Sequence, residues 1–141
     1  MNVSQACIDL VKHFEGCRLD AYEDDSPAKI PTIGYGHTGS VKLGDSISQE
    51  RAEELLAQDL ASFATQVSGA VHIPIAQHQF DALVAFAYNV KGWRISTLFH
   101  MVNTGNFTAA AAEFPKWCHA GTRVLNGLVA RRAAEQKLFL G

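Results

Sequence analysis

Apolar side chains recur at Val3, Cys7, Leu10, Val11 and Phe14, with Ala6 between them. That spacing draws one stripe down a helix and predicts an amphipathic helix over residues 3–14. Asn2 or Ser4 is placed to cap its start, and Gly16 to end it with a left-handed residue. Glu15 then falls at or beside the last helical position. From Arg18 to Gly44 the helical period is lost, and Gly, Pro, Asp and Ser are frequent. Pro27 and Pro31 exclude a helix there. Thr32 to His37 alternates and predicts a strand, Thr38-Gly39-Ser40 a turn, and Val41 to Leu43 a returning partner strand. This is a small antiparallel β patch, too small to fold alone.

The helical period returns at Ser48, with Gln49 and Glu50 in a first turn where negative charge suits the dipole. Ala52, Leu55, Leu56, Leu60, Phe63 and Val67 form a long stripe that Gly69 closes. Residues 71–75 read as extended, and Pro74 allows a helix to begin just beyond it. Gln77 to Val90 is apolar on nearly every side, which predicts a helix surrounded by others, and Gly92 ends it. A short helix is expected over Ser96 to Asn103. An Ala-rich helix follows, capped by Asn106 and running to about Cys118, with a kink or early stop at Pro115. Gly121 to Gly127 reads as a loop and Leu128 to Leu140 as the last helix. The expected class is α+β, a single domain over residues 1–141. Its β lobe spans about 15–46 and a linking helix about 48–68. Residues of about 70–141 join the N-terminal helix in a helical lobe.

A length of 141 residues allows one real core and is short for two independent domains. An apolar fraction of 48% with 18% charged residues places the chain among soluble globular proteins. No apolar run is long enough for a membrane span, and Asp9, Lys12 and Glu15 interrupt the first helix. No signal-peptide pattern is seen, so the chain as given is expected to fold in the cytoplasm that makes it. Charge is uneven: residues 1–70 hold 5 Lys/Arg against 11 Asp/Glu, and residues 71–141 hold 7 against 3. A basic second half suits an anionic polymer; an unevenly charged solvated surface gives the same count. Cys7, Cys17 and Cys118 are odd in number and lack metal-like spacing, so reduced, mostly buried thiols are expected. A Cys7–Cys17 bridge would require the chain to fold back after the first helix.

The candidate chemistry lies between Glu15 and His37. A carboxyl at a helix C-terminus faces the negative end of the dipole, and burial between lobes would further favour its protonated form, as a general acid requires. A glutamate near a helix end is otherwise a plain surface group. Asp24 and Asp25 follow in a loop, where adjacent aspartates ordinarily solvate a turn. If one of them faces Glu15, its carboxylate can orient a water or stabilise positive charge on a sugar ring, the pairing that glycoside hydrolysis uses. Along the expected strand Thr32, Gly34 and Gly36 share a nearly bare face, which would turn the Thr32 hydroxyl into a cleft. Ile33, Tyr35 and His37 share the packed face, and His37 is expected to pair structurally with a carboxylate or backbone group.

The run Glu15-Gly16, Leu19-x-Ala21-Tyr22-x-Asp24 and Thr32-Ile33-Gly34-Tyr35-Gly36-His37-Thr38 closely resembles the phage-type lysozymes, the endolysins of glycoside hydrolase family 24. Gln79-Phe80-Asp81-Ala82-Leu83 with Phe86-Ala87-Tyr88-Asn89-Val90 is similar to that family's central helix. Trp117, Ala120-Gly121 and Gly127 to Glu135, with Arg131 and Arg132, are similar to its last segment. The resemblance covers essentially the whole chain. It implies a lysozyme-like fold with a cleft between two lobes. The implied activity is hydrolysis of peptidoglycan between N-acetylmuramic acid and N-acetylglucosamine, with inversion, for lysis of a bacterial host. Glu15, Asp24 and Thr32 map onto the catalytic glutamate, aspartate and threonine. No cofactor or metal is implied. The expected partner is the glycan strand and not a nucleic acid or a membrane; the chain is expected to act as a monomer, released to the wall by a holin.

Seven residues separate Asp24 from Thr32, two more than the family pattern, which leaves Asp25 a rival. Ser26-Pro27 and Ile30-Pro31 stand where a glycine is usual, no N-terminal membrane anchor of the kind some relatives carry is expected, and Thr122 and Asn126 replace a Gly and a Pro in a loop. A lytic transglycosylase and a non-catalytic wall-binding module are the competing readings. Trp93 and Trp117 can stack on sugars, but packing is the expectation for both, as for Tyr22 and Tyr35. Arg131 and Arg132, adjacent on a helix, should face different ways, one of them able to reach Glu15 or the glycan and otherwise making a surface salt bridge.

Overall fold

The computed structural model describes residues 1–141. The first helix, α1 (Gln5–Glu15), buries Cys7 and Val11 on its apolar stripe. Ser4 occupies the cap position without capping through its own side chain. Its amide donates to Asp81 Oδ1 at 2.9 Å, and its hydroxyl donates to Asp81 Oδ2. Asp81 is 1% exposed, so a buried carboxylate from a later helix satisfies the amide and hydroxyl of the cap residue and pins the start of α1. Gly16 ends α1 at φ 65°, its N–H reaching Lys12 O at 3.0 Å.

The β patch differs from the expected one. Strand β1 (Arg18–Glu23) pairs antiparallel with β2 (Pro31–Gly34), with Tyr22 opposite Thr32 and an irregularity between Arg18 and Tyr22. The other edge of β1 receives residues 45–47 through Ala21 N to Asp45 O and Ile47 N to Leu19 O, both 2.9 Å. Val41 to Leu43 forms no strand. A turn closes there instead, with Asp45 N donating to Lys42 O at 3.0 Å and Lys42 N to Asp45 Oδ2 at 2.9 Å. The expected strand over 32–37 also stops short. Gly34 and Gly36 take φ of 65° and 81°, and Ile33 and His37 exchange two backbone hydrogen bonds of 2.9 Å across them. Gly34-Tyr35-Gly36 is therefore a tight turn, and strand alternation does not carry through it.

Helix α2 (Gln49–Ala70) begins at Ser48, whose hydroxyl accepts from Arg51 N at 3.0 Å, and runs through Gly69. It buries Ala52, Leu55, Leu56, Leu60, Ala64 and Val67. The central helix, α3 (Gln77–Asn89), buries every residue from Phe80 to Ala87. No amphipathic face survives, because α1, α2 and a later helix all pack on it. A 3₁₀ turn (Trp93–Ile95) leads to α4 (Thr97–Asn103), capped by Ser96, and α5 (Phe107–Glu113) is capped by Asn106. Pro115 stops α5 in a 3₁₀ turn, Phe114–Lys116. The segment read as a loop carries a small hairpin, β3 (His119–Ala120) with β4 (Arg123–Val124). The last helix, α6 (Asn126–Leu140), lies against α3. Phe86 sits at the aromatic centre, edge-on to Phe114 and Trp117 at 5.6 Å each. Burying a side chain of that size stabilises the fold by about 1.5–3 kcal/mol. All three cysteines are free.

Candidate active site

The helix stop at Gly16 leaves Glu15 at the open end of α1, where its two carboxylate oxygens meet different segments. Oε2 accepts from the Arg131 guanidinium on α6. Oε1 faces Gly36, where an added Cβ would lie only 2.7 Å away. The turn that carries Gly36 is itself anchored three ways. Tyr88 of α3 donates its hydroxyl to Tyr35 O at 2.7 Å. Gln49 of α2 donates to the Tyr35 hydroxyl at 2.9 Å. His37 Nδ1 stands 2.7 Å from Asp59 Oδ2, the carboxylate pairing expected of it.

Behind Glu15 lies a buried run of alternating charge. Arg131 Nε donates to Glu135 Oε2 at 3.1 Å, and its other arm donates to Ala85 O at 3.1 Å. Arg132 stands 2.9 Å from Glu135 Oε1 through Nε and donates to Asn89 Oδ1 at 2.6 Å. The Nε contact is an ion pair too poorly aligned for a hydrogen bond, which leaves Arg132 Nε and Nη1 and Glu135 Oε1 without hydrogen-bond partners. Arg131, Arg132 and Glu135 are each at most 3% exposed. Burial pushes the Glu135 carboxyl up to about 6 against the pull of both guanidiniums, and burial lowers Arg132. Arg131 reaches Glu15, the contact one of the two arginines was expected to be able to make, and neither makes the alternative surface salt bridge. Glu135, one turn on, draws both into the interior.

Asp24 stands at the end of β1. Its Oδ1 accepts from the Ser26 hydroxyl at 2.5 Å, Ser26 N at 3.1 Å and Ile30 N at 2.9 Å. These donors, the Ser26 hydroxyl foremost, hold the carboxyl below the usual aspartate range. Asp25 is exposed. Asp24 lines a cleft of about 520 Å³ with Ile30, Gly36 and Thr38 on one side. Opposite them are Asp59, Phe63 and Gln66 of α2, Tyr88 and Asn89 of α3, and Lys91, Trp93 and Arg94 beyond it. Glu15 lines an adjoining hollow of about 350 Å³ with Phe14, Leu128 and Arg131. Asn89 borders both, and Gly36 links the cleft to Glu15. Thr32 departs from expectation: it is 4% exposed and donates its hydroxyl to Ile30 O at 2.9 Å. The turn at Gly34 removes the bare strand face on which Thr32 was to stand.

The sequence model for phage lysozyme matches residues 12–135. The chain belongs to the phage lysozyme family. Among curated relatives, the endolysin of Bacillus phage B103 is 50% identical over 99% of this chain and 54% of its own length. The endolysin of Salmonella phage P22 is 39% identical over 99% of both chains. The chain thus spans about half the length of the Bacillus phage relatives and nearly all of the Salmonella phage one. Among solved structures, the muramidase domain of SpmX from Asticaccaulis excentricus superposes with a TM-score of 0.91 at 39% identity, covering 99% of this chain and 98% of that one. The fold is therefore the lysozyme-like α+β arrangement.

In this family member Trp93 is buried at the cleft edge with Arg94 over its ring at 4.8 Å, and Trp117 packs on Phe86. Tyr22 stays in the β patch, opposite Thr32 with Arg18 over its ring, whereas Tyr35 packs into the helical core and meets Gln49 of α2. Residue patterns alone did not single out Tyr88, Asn89, Lys91 or Glu135 for the site. Glu135 carried a usable signal, three and four residues beyond two arginines on one helix; the others look like ordinary members of a buried helix and its exit.

Proposed function

We propose that this chain is a lysozyme, an N-acetylmuramidase that hydrolyses the β-1,4 bond between N-acetylmuramic acid and N-acetylglucosamine in bacterial peptidoglycan. The observation that carries the reading is the pairing of two unlike carboxyls. Glu15 is wedged between Gly36 and Arg131, and Asp24 is held on one oxygen beside an elongated cleft. Glu15 protonates the leaving glycosidic oxygen. Asp24, kept ionised by its loop donors, orients a water on the other face of the sugar or stabilises the cationic transition state. Thr32, buried and donating its hydroxyl to Ile30 O, acts by holding the loop that carries Asp24. Inversion at the anomeric carbon follows if the water attacks directly. Asp24 is preferred to Asp25 because it lines the cleft and accepts three hydrogen bonds.

The chain is read as one domain of two lobes joined by α2, acting as a monomer on glycan strands. No helix is long and apolar enough to cross a membrane. The enzyme is proposed to wait in the host cytoplasm for a holin to open the way to the wall. The test is clearing of a suspension of permeabilised Gram-negative cells or purified walls. Wild type and Asp25→Asn should clear it, while Glu15→Gln and Asp24→Asn fold, bind the glycan and do not. Glu15→Gln lysing at the wild-type rate would remove Glu15 as the acid. A 1,6-anhydro product by mass spectrometry, in place of a reducing end, would replace hydrolysis by transglycosylation.

A further inference from the structure

The segment 24–32 is knotted by hydrogen bonds that converge on one carboxylate. Oδ1 of Asp24 takes all three donors described above, and Oδ2 takes none from the protein. Asp24 also donates its own amide to Ile30 O at 3.0 Å, so residues 24 and 30 hold each other through backbone and side chain together. Thr32 donates to that same Ile30 carbonyl at 2.9 Å. The chain can return to Asp24 within so few residues because Lys29 takes φ 49°, uncommon for a lysine, with its N–H on Ser26 O at 3.0 Å.

We infer that Ser26, the Ile30 peptide and Thr32 form a clamp that fixes the rotation of the Asp24 carboxylate and leaves Oδ2 alone for the reaction. Ser26 is a positioning residue in this assignment, and Thr32 positions Asp24 through Ile30. This deepens the reading of Asp24 as the second carboxylate and rests on it. A carboxylate bonded on one oxygen does not swing between rotamers, so the direction in which the other oxygen receives a proton is set before substrate arrives. The charged and titratable groups acting on or near Asp24 are Tyr22 from β1 and Lys91 beyond α3, with Asp59 and Arg94 lining the same cleft. Lys91 adds to the clamp by favouring the ionised form, and the Ser26 hydroxyl is the larger influence.

The test is Ser26→Ala against Ser26→Thr, which keeps the hydroxyl, assayed on a soluble peptidoglycan oligosaccharide across the acid range. With Ser26→Ala, kcat should fall by about tenfold with KM little changed, because the reacting group is misaimed and not the binding surface. The acid limb of kcat should move to higher pH, since Asp24 loses a donor to its ionised form. Ser26→Thr should restore both. A separate titration of the Asp24 carboxyl by ¹³C NMR should show the same upward move in Ser26→Ala, and it needs no turnover. If Ser26→Ala matches wild type in kcat, pH profile and titration, the clamp is wrong while the lysozyme reading stands. If the NMR midpoint moves but kcat and its pH profile do not, Asp24 is clamped yet is not the reacting carboxylate, and the positioning role falls.

Discussion

An alanine at Gly36 puts a methyl group where the Glu15 carboxylate already lies. The added carbon would stand 2.7 Å from Oε1 and 3.4 Å from the carboxyl carbon. Ordinary contact begins at 3.4 Å. Oε1 must then retreat by about 0.7 Å, and a displacement on that scale in a reacting group costs on the order of a hundredfold in rate. Retreat is not free, because Oε2 is held by a guanidinium that is itself tied to Glu135 and Ala85. The substitution carries a second cost unrelated to Glu15. Gly36 has φ 81°, and a left-handed alanine is destabilised by about 1–2 kcal/mol.

Gly39 separates the two effects. It has φ 88° with nothing within 4 Å of an added Cβ, so Gly39→Ala meets the same backbone cost and no contact. Urea unfolding should find both variants less stable by about 1–2 kcal/mol, Gly36→Ala somewhat more. Wall-clearing rates, corrected for folded protein, should leave Gly39→Ala near wild type and Gly36→Ala lower by about a hundredfold. Rates for the two variants within about threefold of each other would refute the reasoning: either Glu15 is not held against the turn, or its position at that scale does not matter to the reaction.

Two further outcomes follow from the buried groups. Arg131→Met removes the central cation of the Glu15–Arg131–Glu135–Arg132 run and should cost about 3–5 kcal/mol in urea unfolding. Adding Glu135→Met alone should not restore it, because Arg132 is then buried without a carboxylate, whereas Arg131→Met, Arg132→Met and Glu135→Met together recover much of it by replacing the buried charges with apolar volume; a single variant as stable as wild type would show that the run is not tightly held. Cys7 is fully buried, and burial pushes its thiol up to about 12, so thiol labelling of the native protein at mildly alkaline pH should modify Cys17 and Cys118 and spare Cys7 until denaturant is added.

The helices were legible because each carries its own evidence. Ser48 and its Arg51 amide, the Leu55–Leu56–Leu60 stripe and the run from Phe80 to Ala87 are local signals, visible without knowing what they pack on. Strand β1 carries no such signal. Its residues are mostly exposed, and it persists because β2 pairs with one edge and residues 45–47 with the other. Backbone hydrogen bonds of that kind leave no side-chain pattern to read. The stretch Thr32–His37 misled for the opposite reason. Gly alternating with larger residues has the period of a strand, yet glycine at positive φ makes a turn from the same letters, and only that turn brings Gly36 onto Glu15.

Glu15 itself was found from one helix end and one run of residue types, and only part of what surrounds it was. The α1 terminus was countable in the sequence, and a guanidinium from residue 131 or 132 was one of two readings; which arginine it is, and that it lies buried, was not legible, because Arg131 is 116 residues away and adjacent charges on an amphipathic helix ordinarily mean solvent. The carboxyl's surroundings therefore come from three distant segments at once: the end of α1, the β2 turn and α6. This is why Gly36, a residue without chemistry of its own, is a sharper probe of Glu15 than any charged neighbour. Changing Arg131 disturbs Glu135 and Arg132 as well, whereas the three atoms nearest a methyl at Gly36 all belong to Glu15.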